Sequence, residues 1–357
     1  MDTTDVDGLT EIVLAEDGTT STDMNLGVAA GVAVSLVESD DEVLTITVDG
    51  AATDDAASLD FNIGGTAAVD GGAFTAANIQ NLNIMSVGSA ANTLGAATTG
   101  ALENLMVTAD QDFTATSFTM AAGEAVGTYD TFTVATSGEA DIDLGDLTTA
   151  ANINQIAFSS EGEGDRAFTI AAIAGLKTDI GDDEAGVDIT GAGTGTVEVT
   201  ATGAFLNTLR IDGSAFDGSV EAIASAANAI DADNFTGVDT LNFGANMGGV
   251  AISKLDADVV AKVGFAQTLT QVITGSTTSR DVLFSLNAGT AGAIAIANAL
   301  TIADAKTINF STENTHATGT AQTYTLTTLT NAGAANVVNV EAANMIWSPA
   351  YGIFPVC

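Results

Sequence analysis

The chain has 357 residues, with 46 Asp or Glu against only 7 Lys or Arg, and its formal net charge is −39. Hydrophobic residues make up 46% of it, a share that is too high for an intrinsically disordered chain. Nucleic acids and anionic membrane surfaces are bound by clusters of Lys and Arg, so neither is an expected partner. A single His and a single Cys leave little material for a catalytic or zinc site, and we predict that the protein is not an enzyme.

The acidic residues are unevenly distributed. Residues 1–165 contain 28 acids and no Lys or Arg, whereas residues 166–357 contain 18 acids and all 7 basic residues. The first region cannot pair its carboxylates internally with Lys or Arg, so it must spread the charge, screen it with salt or bind cations. On this basis the sequence divides into an acidic β-repeat region at 1–165, a second β-repeat region at 166–346 and an atypical tail at 347–357.

Both ends of the sequence depart from its middle. The single Trp, the single Cys and both Pro lie within residues 347–357, which we interpret as a terminal cap, a processing signal or a sequence scar. The N-terminal MDTTDVDGLTEIVL lacks the basic and apolar segments of a secretory signal peptide. No run of about 18 apolar residues predicts a transmembrane helix, so membrane insertion is not expected. An exported protein with this sequence would need a route without an N-terminal signal, or would be one piece of a longer chain.

One short pattern recurs along the chain: an aliphatic residue, two polar residues, a second aliphatic residue, a polar residue and a third apolar residue. Ile79-Gln-Asn-Leu82-Asn-Ile84 is an example. The alternation at its last three positions has the period of a half-buried strand, so the fourth and sixth residues should face the core. Comparable segments begin at Leu102, Ile153, Leu206, Val238, Ala305 and Ala335.

Short alternating runs rich in Thr and Val, such as 43–48 and 196–200, lie between these segments, and Gly, Asn, Asp and Ser cluster at the turns. The pattern favours an all-β fold, an irregular β-solenoid similar to a parallel β-helix, with coils of roughly 20–30 residues. Tandem β-sandwich domains are the alternative. The aromatic content of 5% and the lack of Pro before residue 349 argue against that alternative. Two segments, near 219–230 and 252–262, space apolar residues at helical intervals and predict short inserted helices.

Clusters of acidic residues are the candidate ligand sites in this sequence. Calcium binds about six to eight oxygens from carboxylates, carbonyls and water. Alternate residues of an extended strand point to one face, so carboxylates two apart can share one ion with oxygens from the next coil. The alternative is a solvated acidic rim that binds nothing. The candidate calcium ligands are Asp141, Asp143, Asp146, Asp182, Asp183, Glu184 and Asp188.

The segment Asn234-Phe-Thr-Gly-Val-Asp-Thr-Leu-Asn-Phe-Gly-Ala245 resembles the T-G-V-E-T-L-N phrase of bacterial surface-layer proteins and related acidic β-repeat proteins of the type I secretion pathway. Abundant Thr, Ala, Gly, Asp and Asn, with little Lys, Cys or Pro, is a further similarity across residues 1–346. The resemblance implies a secreted, calcium-dependent β-solenoid that assembles into a coat on the cell surface and needs no N-terminal signal peptide. It does not extend to the calcium nonapeptide G-G-x-G-x-D, of which the sequence has no copy.

Together, these observations predict a structural, extracellular protein of the bacterial cell surface that assembles with itself and is stabilised by calcium. Its expected partners are further copies of itself and a cell-surface glycan. A second hypothesis is the repeat or stalk region of a giant secreted adhesin. A third is a β-helix carbohydrate-active enzyme with a pair of catalytic carboxylates. The third is disfavoured because sugar-binding clefts usually contain aromatic residues, and the single Trp lies in the atypical tail.

Overall fold

The structure is a computed structural model, and the regular secondary structure of its described residues consists almost entirely of β-strands that pair in parallel. The predicted all-β, β-solenoid-like architecture is thereby confirmed. No helix among these residues is long and apolar enough to cross a membrane. The structure describes residues 1–15, 23–38, 43–49, 57–77, 79–99, 102–120, 130–149, 153–173, 186–201, 209–227, 229–285, 293–296, 299–303, 305–313, 323–326, 328–331, 337–341 and 345–347.

The chain forms two compact units. The predicted division at residue 165 marks a change of charge rather than of fold, because the strand that begins at Arg166 belongs to the same unit as the acidic strands before it. Unit 1 comprises Met1–Val199 and Ile211–Ser219, and unit 2 comprises Thr200–Arg210 and Val220–Cys357.

Unit 1 is built from two parallel sheets, which the chain visits in turn. The strands of the odd sheet are β1 (Glu11–Leu14), β3 (Ala33–Leu36), β5 (Ser58–Ile63), β7 (Asn81–Ser86), β9 (Asn104–Ala109), β11 (Asp130–Ser137), β13 (Ile153–Ser160), β15 (Gly186–Gly191) and β17 (Ile211–Phe216). The strands of the even sheet are β2 (Met24–Val28), β4 (Val43–Val48), β6 (Ala73–Ala77), β8 (Asn92–Thr99), β10 (Phe113–Met120), β12 (Ile142–Thr149), β14 (Arg166–Ile173) and β16 (Thr196–Ala201). Each strand pairs with the strand two further along the chain, so the chain winds into coils stacked about 4.8 Å apart.

Unit 2 also consists of parallel sheets. Its long sheet contains, in order, β18 (Ser219–Ala224), β21 (Thr240–Phe243), β23 (Val260–Val263), β25 (Ser279–Ser285), β28 (Thr307–Glu313) and β31 (Val337–Glu341). A second sheet contains β19 (Ile230–Asp231), β22 (Ala251–Ser253), β24 (Gln271–Ile273), β27 (Leu300–Ile302) and β30 (Leu329–Asn331). A third contains β26 (Ala293–Ile296), β29 (Thr323–Leu326) and β32 (Met345–Trp347). Strand β20 (Phe235–Thr236) follows a 3-10 turn at Ala232–Asn234. Of the predicted tail, only Trp347 is among the described residues.

Inward-facing side chains of unit 1 stack in columns that form its core. One column of the even sheet is buried along its whole length, and it places the small Ala97 between two phenylalanines. Since coils are only about 4.8 Å apart, a small residue between large rings lets the column fill its space without overlap. The column consists of Leu44, Phe74, Ala97, Phe118, Leu147 and Ile170.

The recurring sequence pattern is confirmed as the core-facing part of the coils. Leu82 and Ile84, the fourth and sixth residues of the first example, are buried in β7, and Leu241 and Phe243 are buried in β21. The last copy, in β31, is the exception: Val338 is only partly buried and Val340 is exposed, because no described strand lies on the outer side of β31 in the long sheet. The same local alternation therefore specifies core positions in both units.

The two predicted helical insertions are wrong. Segment 219–230 contains strand β18, and 252–262 contains a turn between β22 and β23. Val220, Ala222 and Ala224 alternate inward in β18 and are buried, so the Ala-rich segment also satisfies a strand pattern. An isolated helix of about a dozen residues has little stability of its own. Parallel pairing with β21 provides hydrogen-bond partners for the backbone of this segment, which therefore forms a strand and not a helix.

Candidate functional site

A column of aspartates runs along one corner of the unit 1 coils. Asp112, Asp141 and Asp165 each stand immediately before an even-sheet strand. The backbone N–H of Asp141 donates to Asp112 Oδ1 (3.2 Å), and the N–H of Asp165 donates to Asp141 Oδ1 (2.8 Å). The N–H of Thr196 continues the series by donating to Asp165 Oδ1 (2.7 Å). Each carboxylate of this aspartate column therefore fastens its own coil to the next one.

The aspartate column concentrates negative charge at the surface. Its three members are exposed, and Glu139 and Glu163 are exposed in the same corners. Like charges repeated at the coil spacing repel one another, and this repulsion falls when salt or bound cations screen it. The hydrogen bonds hold the carboxylates in place despite that repulsion. The corner is thus a fixed array of carboxylates rather than a loose acidic rim.

A buried arginine lies beneath the aspartate column. Arg166 is only 1% exposed. Its guanidinium donates to the backbone oxygens of Ala140 (2.7 Å), Gly138 (2.8 Å) and Glu161 (3.2 Å), and to Thr136 Oγ1 (3.2 Å). The planar fork of donors in arginine suits such a set of convergent oxygens. Arg166 therefore ties together the turns of two successive coils.

The charge of Arg166 and the charges of the corner acids offset each other. Burial lowers the pKa of the Arg166 guanidinium, because the charged form loses contact with water. The nearby carboxylates of Asp141, Asp165 and Glu139 act in the opposite direction. The first basic residue of the sequence thus has a structural role, and the acids above it favour its charged form.

The predicted calcium ligands Asp141, Asp143 and Asp146 occupy different settings. Asp141 belongs to the aspartate column. Asp143 Oδ1 accepts the backbone N–H of Gly145 (2.9 Å), and Asp146 follows an irregularity in the strand register, opposite Ser117. Asp141 is therefore hydrogen-bonded with Asp112 and Asp165 of the neighbouring coils, because the residues that follow these three aspartates are register partners.

The second predicted cluster is only partly described. Asp188, in β15, accepts a hydrogen bond from Gln155 Nε2 of the neighbouring strand, whereas Asp182, Asp183 and Glu184 lie outside the described residues. Among the residues that the structure describes, no group of three or more His, Cys, Asp or Glu is arranged to hold a metal ion. Calcium binding by these residues stays a prediction that needs a measurement in solution.

Sequence reasoning missed Asp112 and Asp165. The sequence does mark them, because each is an Asp directly before a strand in which apolar residues recur at alternate positions, as Asp141 is. The steps between the three are 29 and 24 residues. A search for a fixed repeat length does not find such a column, because loops of different lengths separate its members.

The outward side of the even sheet carries a column of threonines. All of its members are at least partly exposed. Within the described residues their hydroxyls make no hydrogen bond to other side chains, so they are available to water or to another surface. The column comprises Thr45, Thr75, Thr98, Thr119 and Thr148, in register on successive even strands.

We call the outward side of β6, β8 and β10 the threonine face. These three strands contain no charged residue, and residues 71–102 contain none at all. Buried Phe74 and Phe118 lie beneath it and support the strands. The threonine face is therefore a neutral surface on a chain with a net charge of −39. No protein-family model, curated protein or solved structure matches the chain.

Proposed function

We propose that this protein is a structural, extracellular component of a bacterial surface coat, similar to a surface-layer protein, that assembles with itself and is stabilised by calcium. The parallel β-solenoid-like fold, the concentration of acids in residues 1–165 and the resemblance of segment 234–245 to surface-layer repeats support this proposal. The observation that carries it is the neutral threonine face on a strongly acidic chain.

The threonine face is the proposed contact between copies. Two copies of an acidic chain repel each other wherever their carboxylates approach, most strongly at low ionic strength. A neutral face avoids this repulsion. Its short Thr, Ser and Ala side chains also allow two sheets to approach closely, at about 10 Å or less between their backbones. Assembly through this face leaves the aspartate column exposed to salt and calcium.

Adding charge to the threonine face should abolish assembly. In the double variant Thr98→Glu with Thr119→Glu, two carboxylates would meet their counterparts across the contact, and we expect only monomers. Both side chains point outward, so the fold should persist, as circular dichroism can verify. Electron microscopy and sedimentation velocity in saline with calcium measure the assembly.

A matched control adds the same two charges in another place. Ala192 and Thr194 are exposed in the corner between β15 and β16, and the variant Ala192→Glu with Thr194→Glu should assemble like the unaltered protein. An unaltered protein that stays monomeric in saline with calcium would contradict the proposed function. Equal loss of assembly in both variants would contradict the assignment of the contact to the threonine face.

Calcium should raise the melting temperature at low ionic strength. Carboxylates of the aspartate column repel one another in the folded state, and an ion that binds only the folded state stabilises it by about 2.7 kcal/mol at 100 times its Kd. Melting followed by circular dichroism, in calcium and in chelator, measures the effect. Sodium chloride at matched ionic strength separates ion binding from screening. Identical melting temperatures in calcium, chelator and sodium chloride would contradict both stabilisation by bound calcium and stabilisation by charge screening.

A further inference from the structure

Three polar residues meet on neighbouring strands of unit 2. Glu221, Asn242 and Lys262 lie on β18, β21 and β23, which are consecutive in the long sheet, and Asn242 and Lys262 are direct register partners. Glu221 is 8% exposed and Asn242 is 2% exposed. The side chain of Lys262 is 15% exposed. The cluster is therefore largely shielded from water.

One carboxylate holds both the amine and the amide. Glu221 Oε1 accepts hydrogen bonds from Asn242 Nδ2 (2.6 Å) and from Lys262 Nζ (3.0 Å). Glu221 Oε2 accepts a second bond from Lys262 Nζ (2.9 Å). The lysine amine and the asparagine side-chain amide are thus both within reach of one group that can accept and return a proton.

The Asn242 amide is held in one orientation. Its nitrogen is bonded to Glu221, while its oxygen is buried and has no hydrogen-bond partner among the described residues. A Cβ atom at Gly264 would lie 2.4 Å from this oxygen, so the amide fills space that only glycine leaves open. Most buried side-chain amide oxygens have a hydrogen-bond partner, so this one is an exception. Its one hydrogen bond is to the carboxylate that also binds the Lys262 amine, which keeps the amide and the amine together.

We propose that Lys262 and Asn242 form an intramolecular isopeptide bond in the folded protein, with Glu221 as the proton carrier. Glu221 accepts a proton from the Lys262 ammonium, and the free amine attacks Cγ of Asn242. A bond forms between Nζ and Cγ, and the bond between Cγ and Nδ2 breaks. Of the three protons of the Lys262 ammonium, one stays on Nζ in the new amide. The other two are transferred to the leaving NH2 group, one of them by way of Glu221, and the group departs as ammonium. The step needs no oxidant or other reactant.

Proximity is what this chemistry requires. An amine and an unactivated amide do not react with each other in water at a useful rate. Fixing the two groups side by side in a water-poor site turns the reaction into a unimolecular step. This can remove a large part of the activation free energy. The product links adjacent coils covalently through their side chains. A chain with a single Cys has no internal disulfide that would serve this purpose.

Two other asparagines provide internal comparisons. Asn309 Nδ2 donates to Asp281 (2.6 Å), and Asn83 Nδ2 donates to Asp60 (2.7 Å), so the amide–carboxylate contact itself recurs along the stacks. The described residues show no lysine amine bonded to either carboxylate. These two pairs have the acid and the amide but lack the nucleophile, and they should remain unreacted.

The mass of the intact, full-length protein tests the proposal. We expect it to be lower than the mass of the sequence by one ammonia. Proteolytic digestion should yield a branched peptide that joins the segments containing Asn242 and Lys262, and no branch at Asn83 or Asn309. A folded protein with the full sequence mass would overturn the proposal.

Two conservative variants separate this reaction from others that release ammonia. Lys262→Arg keeps the positive charge but lacks the amine, and Glu221→Gln keeps the size but cannot carry the proton. Both should show the full mass, while the control Asn309→Ala should still lose ammonia. Cyclisation of Asn242 onto its own backbone also releases ammonia, but it would persist in Lys262→Arg and would give no branched peptide. Loss of ammonia in Lys262→Arg without a branched peptide would therefore overturn the proposal. If Glu221→Gln loses ammonia and still yields the branched peptide, the assigned role of Glu221 is wrong.

Discussion

Replacing Arg166 with Met should destabilise unit 1 by about 3–5 kcal/mol. The substitution fills a similar volume but removes every donor of the guanidinium. The backbone oxygens of Gly138, Ala140 and Glu161 then lose a partner inside a closed turn. Each carbonyl left without a partner costs about 1–3 kcal/mol, whereas a bond that water can replace costs less. The loss should be local, because each coil of a solenoid contacts only its neighbours.

Hydrogen exchange followed by mass spectrometry measures this loss strand by strand. In Arg166→Met we expect faster exchange of the amides in β11, β12, β13 and β14, with little change in unit 2. Lys254→Met is the matched control, because Lys254 pairs with Asp231 and Asp233 at the surface and exposed ion pairs contribute little. Equal exchange in Arg166→Met and the unaltered protein would show that the buried guanidinium does not hold the turns.

The fold can be predicted from the sequence because the alternation that specifies it is local. Leu82 and Ile84 are two residues apart, and the side chain of each is placed on one face by strand geometry alone. The helix prediction for the Ala-rich segment 219–230 fails for a related reason, since its small residues fit a helix and a strand equally well. Only the partner strand β21, which is not visible in the segment itself, distinguishes between the two.

The candidate sites depend on contacts between coils, and spacing in the sequence does not predict these contacts. Sequence spacing groups Asp141 with the acids next to it, whereas the structure joins it to Asp112 and Asp165. The threonine column follows the same rule: its members are unevenly spaced in sequence but share one register position. Loop lengths set the register between coils, and loops of variable composition carry no periodic signal.

Replacing Gly162 with Ala should destabilise the same turns by roughly 2–4 kcal/mol. Gly162 has φ +101°, a backbone conformation that residues with a Cβ rarely adopt. Its Cβ would also lie 2.1 Å from the backbone oxygen of Gly138 in the preceding coil. Gly138 and Gly191 meet the same obstacle, at 2.1 Å from the oxygens of Ala109 and Ser160. A side chain at any of these three positions would have to push two coils apart.

Gly31→Ala separates backbone strain from this clash between coils. Gly31 has φ +80°, but a Cβ atom at this position would have no atom within 4 Å apart from those of its own residue and its two chain neighbours. Its substitution should therefore cost only the strain, about 1–2 kcal/mol. Urea unfolding of both variants measures the difference, and Gly162→Ala should be the less stable by the cost of separating the coils. An equal decrease in the free energy of unfolding in both variants would mean that neighbouring coils can separate at the corners at no energetic cost. The close backbone contacts would then contribute nothing to the register that aligns the aspartate column.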